Sequence, residues 1–273
     1  MVEQLRTTAA DPVDQVLAGL AERAAQRAEG SPAHRAEGSP AHRTGAPSMA
    51  AVRVLDVGGG SGTRAVPLAS LGCSVVVVDS SVNALAILHR RAEDAGVADR
   101  VLGRQADADR LDAVVEPDSA DLVVCHHLLE EVDDPATVVR GLAGAVRPGG
   151  SVSILVAGRL GAVLAQTLAG RFDEARELLT RADARSGAAD SLRRRFDVLG
   201  VRSLVESVGL VVEAVSGVGV LAGLVPAAAR QAGPGAESGL AELEAAAAEH
   251  PDLLAIAADL HLVARRADPT GAA

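Results

Sequence analysis

The sequence predicts an α/β fold: a doubly wound, mostly parallel seven-stranded sheet with an N-terminal helical extension. Three observations carry this. Short branched-aliphatic runs alternate with helical segments from residue 52 onward. The runs are apolar throughout rather than alternating, as expected of strands buried on both faces. Finally, the first run leads directly into a glycine-rich turn and then a helix, the opening of a βαβ unit.

Taken in order, Asp11 and Pro12 give a start signal for a helix through VDQVLAGLAERAAQRA. Residues 28–43 then read AEGSPAHR twice, a polar duplication without apolar periodicity, expected to be a flexible linker. Its two histidines, His34 and His42, are too few for a metal site. The folded domain is expected over residues 50–267, after an extension at 1–49 and before a disordered tail at 268–273.

Within the domain VRVLDV, SVVVVDS, ADLVVCH and GSVSILVA read as strands, with a further strand before RQADADRL. SVNALAILHRRAEDAG and DPATVVRGLAGAVRPGG read as helices between them, with proline and glycine as stops. Beyond residue 157 helices are expected at about 159–182, 198–208 and 236–259. LVVEAVSGVGV and DLHLVARR would add two strands to the same sheet.

Composition narrows the function. The 273 residues carry a net charge of −10, which disfavours general nucleic-acid binding. Phe172 and Phe196 are the only aromatics, so stacking platforms for unpaired bases are scarce. All 26 basic residues are arginine, a bias that by itself does not argue phosphate recognition. No apolar run reaches the roughly 18–20 residues of a membrane span, and the first residues lack the apolar core of a secretory signal. The expectation is a cytoplasmic protein without a membrane partner. Cys73 and Cys125 have no paired spacing and read as small buried hydrophobes.

LDVGGGSGTRAVPLA sets Asp56, Gly58, Gly60 and Gly62 in a D-x-G-x-G-x-G pattern between a strand and a helix. Glycines there allow positive φ and a close approach of a ligand to the backbone. Such a loop suits a dinucleotide, a nucleoside or a plain turn. Asp79, followed by Ser80, ends the next strand where a carboxylate can accept from both ribose hydroxyls; the alternative is a helix cap.

The combination of Asp56 ahead of the glycines, RQADADRL after a third strand and VRPGG at 146–150 resembles class I S-adenosylmethionine-dependent methyltransferases over residues 50–157. The resemblance implies S-adenosyl-L-methionine as cofactor. Asp56 and the glycines would hold its methionine portion, Asp79 its ribose, and Asp107 with Ala108 would surround its adenine.

CHHLLEEVDDP, residues 125–135, admits a metal or acid–base reading on composition alone. Adjacent histidines point in different directions, so His126 and His127 are poorly placed to share one ion, and no metal is expected. By the resemblance this segment lines the cofactor, with His126 a cofactor contact. His127 is a candidate general base, Glu130 a structural or pocket-rim group, Glu131 a solvated one, and DDP a helix start.

From DLVVCHHLLEEVDDP through GRFDEA to the late DLHLVARR, the chain is similar to the bacterial tRNA 5-carboxymethoxyuridine methyltransferase family. That family esterifies the carboxylate of a modified wobble uridine. An anionic acceptor needs no base but does need an arginine, for which Arg159, Arg171 and the run Arg193, Arg194, Arg195 are candidates. The family's aromatic and basic residues are missing here. A small-molecule methyltransferase and a catalytically silent cofactor-binding module are the alternative expectations.

Overall fold

The computed structural model describes residues 11–30, 48–181, 192–230, 233 and 235–268. All but the first three residues of the octapeptide duplication, and the tail after 268, lie outside these. The strands are β1 (Arg53–Val57), β2 (Ser74–Asp79), β3 (Val101–Gln105), β4 (Ala120–His126), β5 (Val146–Ala157), β6 (Leu210–Val218) and β7 (Asp259–Arg266). They form one seven-stranded sheet in the order β3-β2-β1-β4-β5-β7-β6. β1 runs parallel to both β2 and β4, and β2 parallel to β3. The doubly wound sheet is therefore as the alternating pattern predicts, and both late strands belong to it.

The helices are α1 (Pro12–Gly30), α2 (Ala65–Ser70), α3 (Val82–Asp94), α4 (Pro135–Ala145), α5 (Arg159–Leu168), α6 (Phe172–Thr180), α7 (Val198–Glu206), α8 (Ala227–Arg230) and α9 (Ala236–Ala248). Each well-formed start has a local cause. The Asp11 carboxylate accepts the Val13 N–H at 2.9 Å, Ser81 Oγ accepts that of Ala84 at 3.2 Å, and Asp197 accepts that of Gly200 at 2.7 Å. Asp134 accepts from Ala136 N–H at 3.0 Å and from the Thr137 hydroxyl at 2.7 Å, so DDP does start a helix.

Two expected helices are shorter than their periodicity suggests. The stretch at 159–182 breaks into α5 and α6 because Gly170 takes φ = 73° and the Arg171 N–H turns back to the Gln166 carbonyl at 2.9 Å. The stretch at 236–259 ends at Ala248; Pro251 follows, and only a 3₁₀ turn at Leu254–Ile256 remains.

The chain divides into two compact units interleaved in sequence. The first comprises residues 1–125, 140–153 and 265–273. Its core is apolar, including Val54, Leu55, Val57, Val75, Val77, Leu88, Leu122 and Val124. At the start of β4 the buried Asp121 carboxylate accepts the Arg53 N–H at 2.7 Å and pairs with the Arg147 guanidinium at 2.8 Å. Arg266 on β7 reaches Asp118 at 2.6 Å and the carbonyls of Ala143 at 3.0 Å and Val146 at 2.7 Å. Arg64 pairs with Asp11 at 2.8 Å and Asp14 at 2.6 Å, tying α1 to the turn after the glycine loop.

The second unit comprises residues 126–139 and 154–264. Here the N-terminus of α5 lies directly on the chain at 257–258. A Cβ on Gly158 would meet the Ala257 carbonyl oxygen at 2.3 Å, and one on Gly161 would meet it at 2.2 Å. Glu244 on α9 accepts the N–H groups of Val220 at 2.9 Å and Leu221 at 2.6 Å, fixing the turn after β6.

Among the described residues no helix is long and apolar enough to cross a membrane. Among the described residues Cys73 and Cys125 are buried and not disulfide-bonded, and burial pushes the Cys73 thiol up to about 11.

Candidate functional site

The glycine loop leaves β1 at its carboxy end. Gly58, Gly60 and Gly62 all have positive φ, at 72°, 53° and 79°. The alternating glycine pattern therefore marks the left-handed positions, as its spacing implies. At Gly62 a Cβ would also lie 2.2 Å from the end of the buried Leu88 side chain, which would have to shift.

Asp56 sits beneath the loop and is 2% exposed. Its Oδ2 is buried without a hydrogen-bond partner among the described residues. Burial pushes its carboxyl up to about 7, with the Arg64 guanidinium pulling it down and the Asp79 carboxylate pushing it further up. The residue that sequence reading passed over is Gly59. A Cβ there would fall 2.4 Å from Asp56 Oδ2 and 2.9 Å from the Val77 side chain. Only glycine lets the loop fold down over Asp56. The GGG run was the available signal, but a motif read at alternate positions skips its middle member.

Asp79 stands at the carboxy end of β2. Its Oδ2 accepts the Gly60 N–H at 2.9 Å and its Oδ1 accepts that of Ser81 at 2.8 Å. The N-cap of α3 is Ser81, two residues after Asp79. Each carboxylate oxygen has a further lone pair, so both backbone bonds leave Asp79 able to accept more. Ser80 is exposed, and its carbonyl accepts the Gln105 side-chain amide at 3.3 Å. The Ala106 N–H donates to the Asp79 carbonyl at 3.2 Å, which brings Asp107 and Ala108 to the same end of the sheet as Asp79. Asp107 is exposed and precedes the 3₁₀ turn at Ala108–Ala113. Asp56, the glycines, Asp79, Ser80, Asp107 and Ala108 are thus gathered at the carboxy ends of parallel strands, the usual place for a ligand in an open α/β sheet.

The other predicted residues belong to the second unit. His126 ends β4, and its ring meets that of His261 edge-on at 5.6 Å between centroids. His127 has φ = 53° and its N–H donates to the Leu155 carbonyl at 2.8 Å. Its Nδ1 lies 3.2 Å from Oε1 of Glu130. Glu130 is fully buried, a deeper position than a pocket rim. Asp259, His261 and this Glu130 contact were not singled out from the sequence; Asp259 and His261 lie more than 100 residues further along the chain.

The arginine candidates are engaged with protein groups. Arg159 pairs with Asp197 at 3.0 Å, and Arg171 donates to the Gln166 side chain. Arg193 pairs with Asp133, while Arg194 donates to the carbonyls of Leu129 at 3.1 Å, Val132 and Asp133 at 3.2 Å. Arg193 and Arg194 therefore grip the segment after β4 instead of forming a simple solvated face. Among the described residues no group of three or more His, Cys, Asp or Glu could hold a metal ion.

Part of the chain is similar to known proteins. Residues 55–154 match the family model of the methyltransferase domain. A ubiquinone biosynthesis O-methyltransferase of Ralstonia nicotianae is 42% identical over 104 residues, which are 38% of this chain and 42% of that protein. The tRNA 5-carboxymethoxyuridine methyltransferase of Escherichia coli K12 is 34% identical over 122 residues, 45% of this chain and 46% of that protein. The chain thus spans less than half the length of these curated relatives. An S-adenosylmethionine-dependent methyltransferase from Mesorhizobium loti superposes with a TM-score of 0.56 at 21% identity, covering 79% of this chain and 91% of that one, which speaks for the fold. The stretch from 55 to 154 is thus similar to the methyltransferase domain family, on a sheet of the same fold as that solved structure.

Proposed function

We propose that this chain transfers a methyl group from S-adenosyl-L-methionine to an acceptor oxygen. The observation that carries the reading is the pairing of Asp56 with Asp79 across the glycine loop. Asp56 has a buried oxygen without a hydrogen-bond partner among the described residues, and such an oxygen is costly unless a donor reaches it. A donor from the methionine portion of the cofactor suits it, and a cationic one would also favour the ionised carboxylate. Asp79, held by two backbone N–H groups, is oriented to accept from a ribose diol. Gly60 offers no side chain on the path between them. Asp107 with Ala108 serves the adenine, Ser80 follows the Asp79 carboxylate that takes the ribose, and His126 is a further cofactor contact.

The bound cofactor supplies an activated methyl group on a sulfonium. The protein's part is chiefly positioning, which in well-oriented reactions is worth about 7–11 kcal/mol.

For the acceptor, the engaged arginines favour a small-molecule hydroxyl. A carboxylate acceptor calls for an available guanidinium, whereas Arg159 and Arg193 already pair with aspartates and Arg194 with three carbonyls. The net charge of −10 points the same way. A second reading, the carboxylate of a modified wobble uridine in tRNA, is supported by the 34% identical relative.

Transfer of radiolabelled methyl to bulk tRNA and to a small-metabolite extract, followed by mild alkali, tests both. Alkali-stable label in the metabolites supports the hydroxyl reading. Alkali-labile label in tRNA supports the ester, and no label in either pool with intact cofactor binding would favour a silent binding module.

A further inference from the structure

Each part of the glycine loop is tied to a different element of the first unit. The Gly58 N–H donates to the Val78 carbonyl at 2.7 Å, that of Gly60 donates to Asp79 Oδ2 at 2.9 Å, and Arg91 of α3 reaches the Ser61 carbonyl at 3.3 Å. The loop ends at Arg64, the residue before α2. That helix has six residues, and among the described residues the Arg64 side chain makes no capping bond to it. Its hold comes instead from α1, where one guanidinium nitrogen lies 2.8 Å from Asp11 and 2.6 Å from Asp14.

A lone exposed ion pair would fix little. Here two carboxylates share one guanidinium whose side chain is 18% exposed, a place where salt screens charges less than at the open surface. Asp11 also accepts the Val13 N–H at 2.9 Å, so the same side chain starts α1 and grips Arg64. Behind it α1 is seated by the burial of Val13, Leu17, Leu20, Ala21 and Ala24.

We propose that Arg64 is a positioning residue of the cofactor site, held by Asp11 and Asp14 of α1 so that the end of the glycine loop and the Asp56 carboxylate stay ready for the cofactor. The proposal rests on the cofactor reading above and makes α1, through Arg64, a part of that site. One guanidinium has two effects. It anchors the turn at Gly62, whose carbonyl accepts the Val66 N–H at 3.0 Å on the far side of Arg64. Its charge, permanent at any working pH, also lightens the ionisation of a buried acid. Burial pushes the Asp56 carboxyl up, Arg64 pulls it back, and Asp79 pushes it up again. Among the described residues Arg64, at the head of α2, and Asp79, on β2, are the charged groups that act on it, while β2 and β4 set Val77 and Val124 opposite it in the sheet. A cationic group of the cofactor needs the carboxylate, not the acid.

The experiment is a carbon-13 titration of the Asp56 carboxyl in the full chain, assigned with Asp56→Asn, alongside calorimetry with S-adenosylmethionine from acid to mildly alkaline pH. In Arg64→Gln the carboxyl midpoint should move up by about one unit, the low end for a neighbouring guanidinium. The pH at which cofactor affinity rises should move with it. Below that rise the variant should bind about tenfold more weakly, the equivalent of one unit, and the loss should shrink above it. The cofactor's own ammonium titrates alike for both proteins and cancels. A merely structural role would weaken binding equally at every pH.

Asp11→Ser combined with Asp14→Ala supplies an opposed test, because serine keeps a capping oxygen for α1. Loss of two negative charges, by itself, would lower the Asp56 midpoint. Release of Arg64 raises it, and a raised midpoint is the expected result. An unchanged or lowered midpoint in the double variant, or a loss of affinity independent of pH in Arg64→Gln, overturns the proposal, and either variant decides where the other does not fold. A wild type that binds no S-adenosylmethionine at any pH sinks the cofactor reading instead, and the carboxyl titration then still tells whether Arg64 acts on Asp56.

Discussion

Two aspartates on neighbouring strands sit in different surroundings. Asp79 keeps both oxygens on backbone N–H groups, while Asp56 is buried with its carboxyl pushed up to about 7. A carboxyl whose folded pKa lies above its ordinary 3.8 holds its proton better in the folded state. The stability it lends is complete below about pH 4 and is lost as pH rises toward 7, after which the loss is constant. Asp56→Asn should therefore gain stability relative to the wild type between pH 5 and pH 8. Thermal midpoints of both proteins at the two pH values check this, since the other carboxylates cancel in the comparison. Replacing Asp79 with alanine should weaken S-adenosylmethionine binding by about 1.5–3 kcal/mol, read by calorimetry, from the loss of hydrogen bonds to a charged acceptor.

At the scale of elements, the close approach of α5 to the chain at 257–258 makes a test of backbone packing. Gly161→Ala puts a methyl group 2.2 Å from a carbonyl oxygen that belongs to the backbone and cannot swing aside. A loss of about 1–3 kcal/mol in urea unfolding is expected. This contact also shows where sequence reading stops. The strands were legible because buried parallel strands are written as continuous Val and Leu runs, and the loop because alternate glycines mark left-handed residues. The Gly170 break in the 159–182 helix and the glycine pair at 158 and 161 were not legible as such. In each the meaning of the glycine depends on a partner brought up by the fold. Glu130 was hidden for the same reason, since its role depends on the Ala157 N–H, 27 residues away.

For the whole molecule, a ligand that binds only the folded state adds stability by mass action. S-adenosylmethionine at a hundred times its dissociation constant should contribute about 2.7 kcal/mol. At roughly 2–4 °C per kcal/mol for a chain of this size, the unfolding midpoint should rise by about 5–10 °C. Differential scanning fluorimetry on the wild type and Asp79→Ala measures it, and the variant should need far more cofactor for the same rise. Arg266 has a different consequence. It joins Asp118 and the carbonyls of Ala143 and Val146, all contributed by earlier parts of the same compact unit. During synthesis those groups leave the ribosome well over a hundred residues before their partner does. The unit holding the glycine loop is thus completed only by Arg266, and for the synthesis of more than a hundred residues that carbonyl cluster stays unclamped and in reach of chaperones.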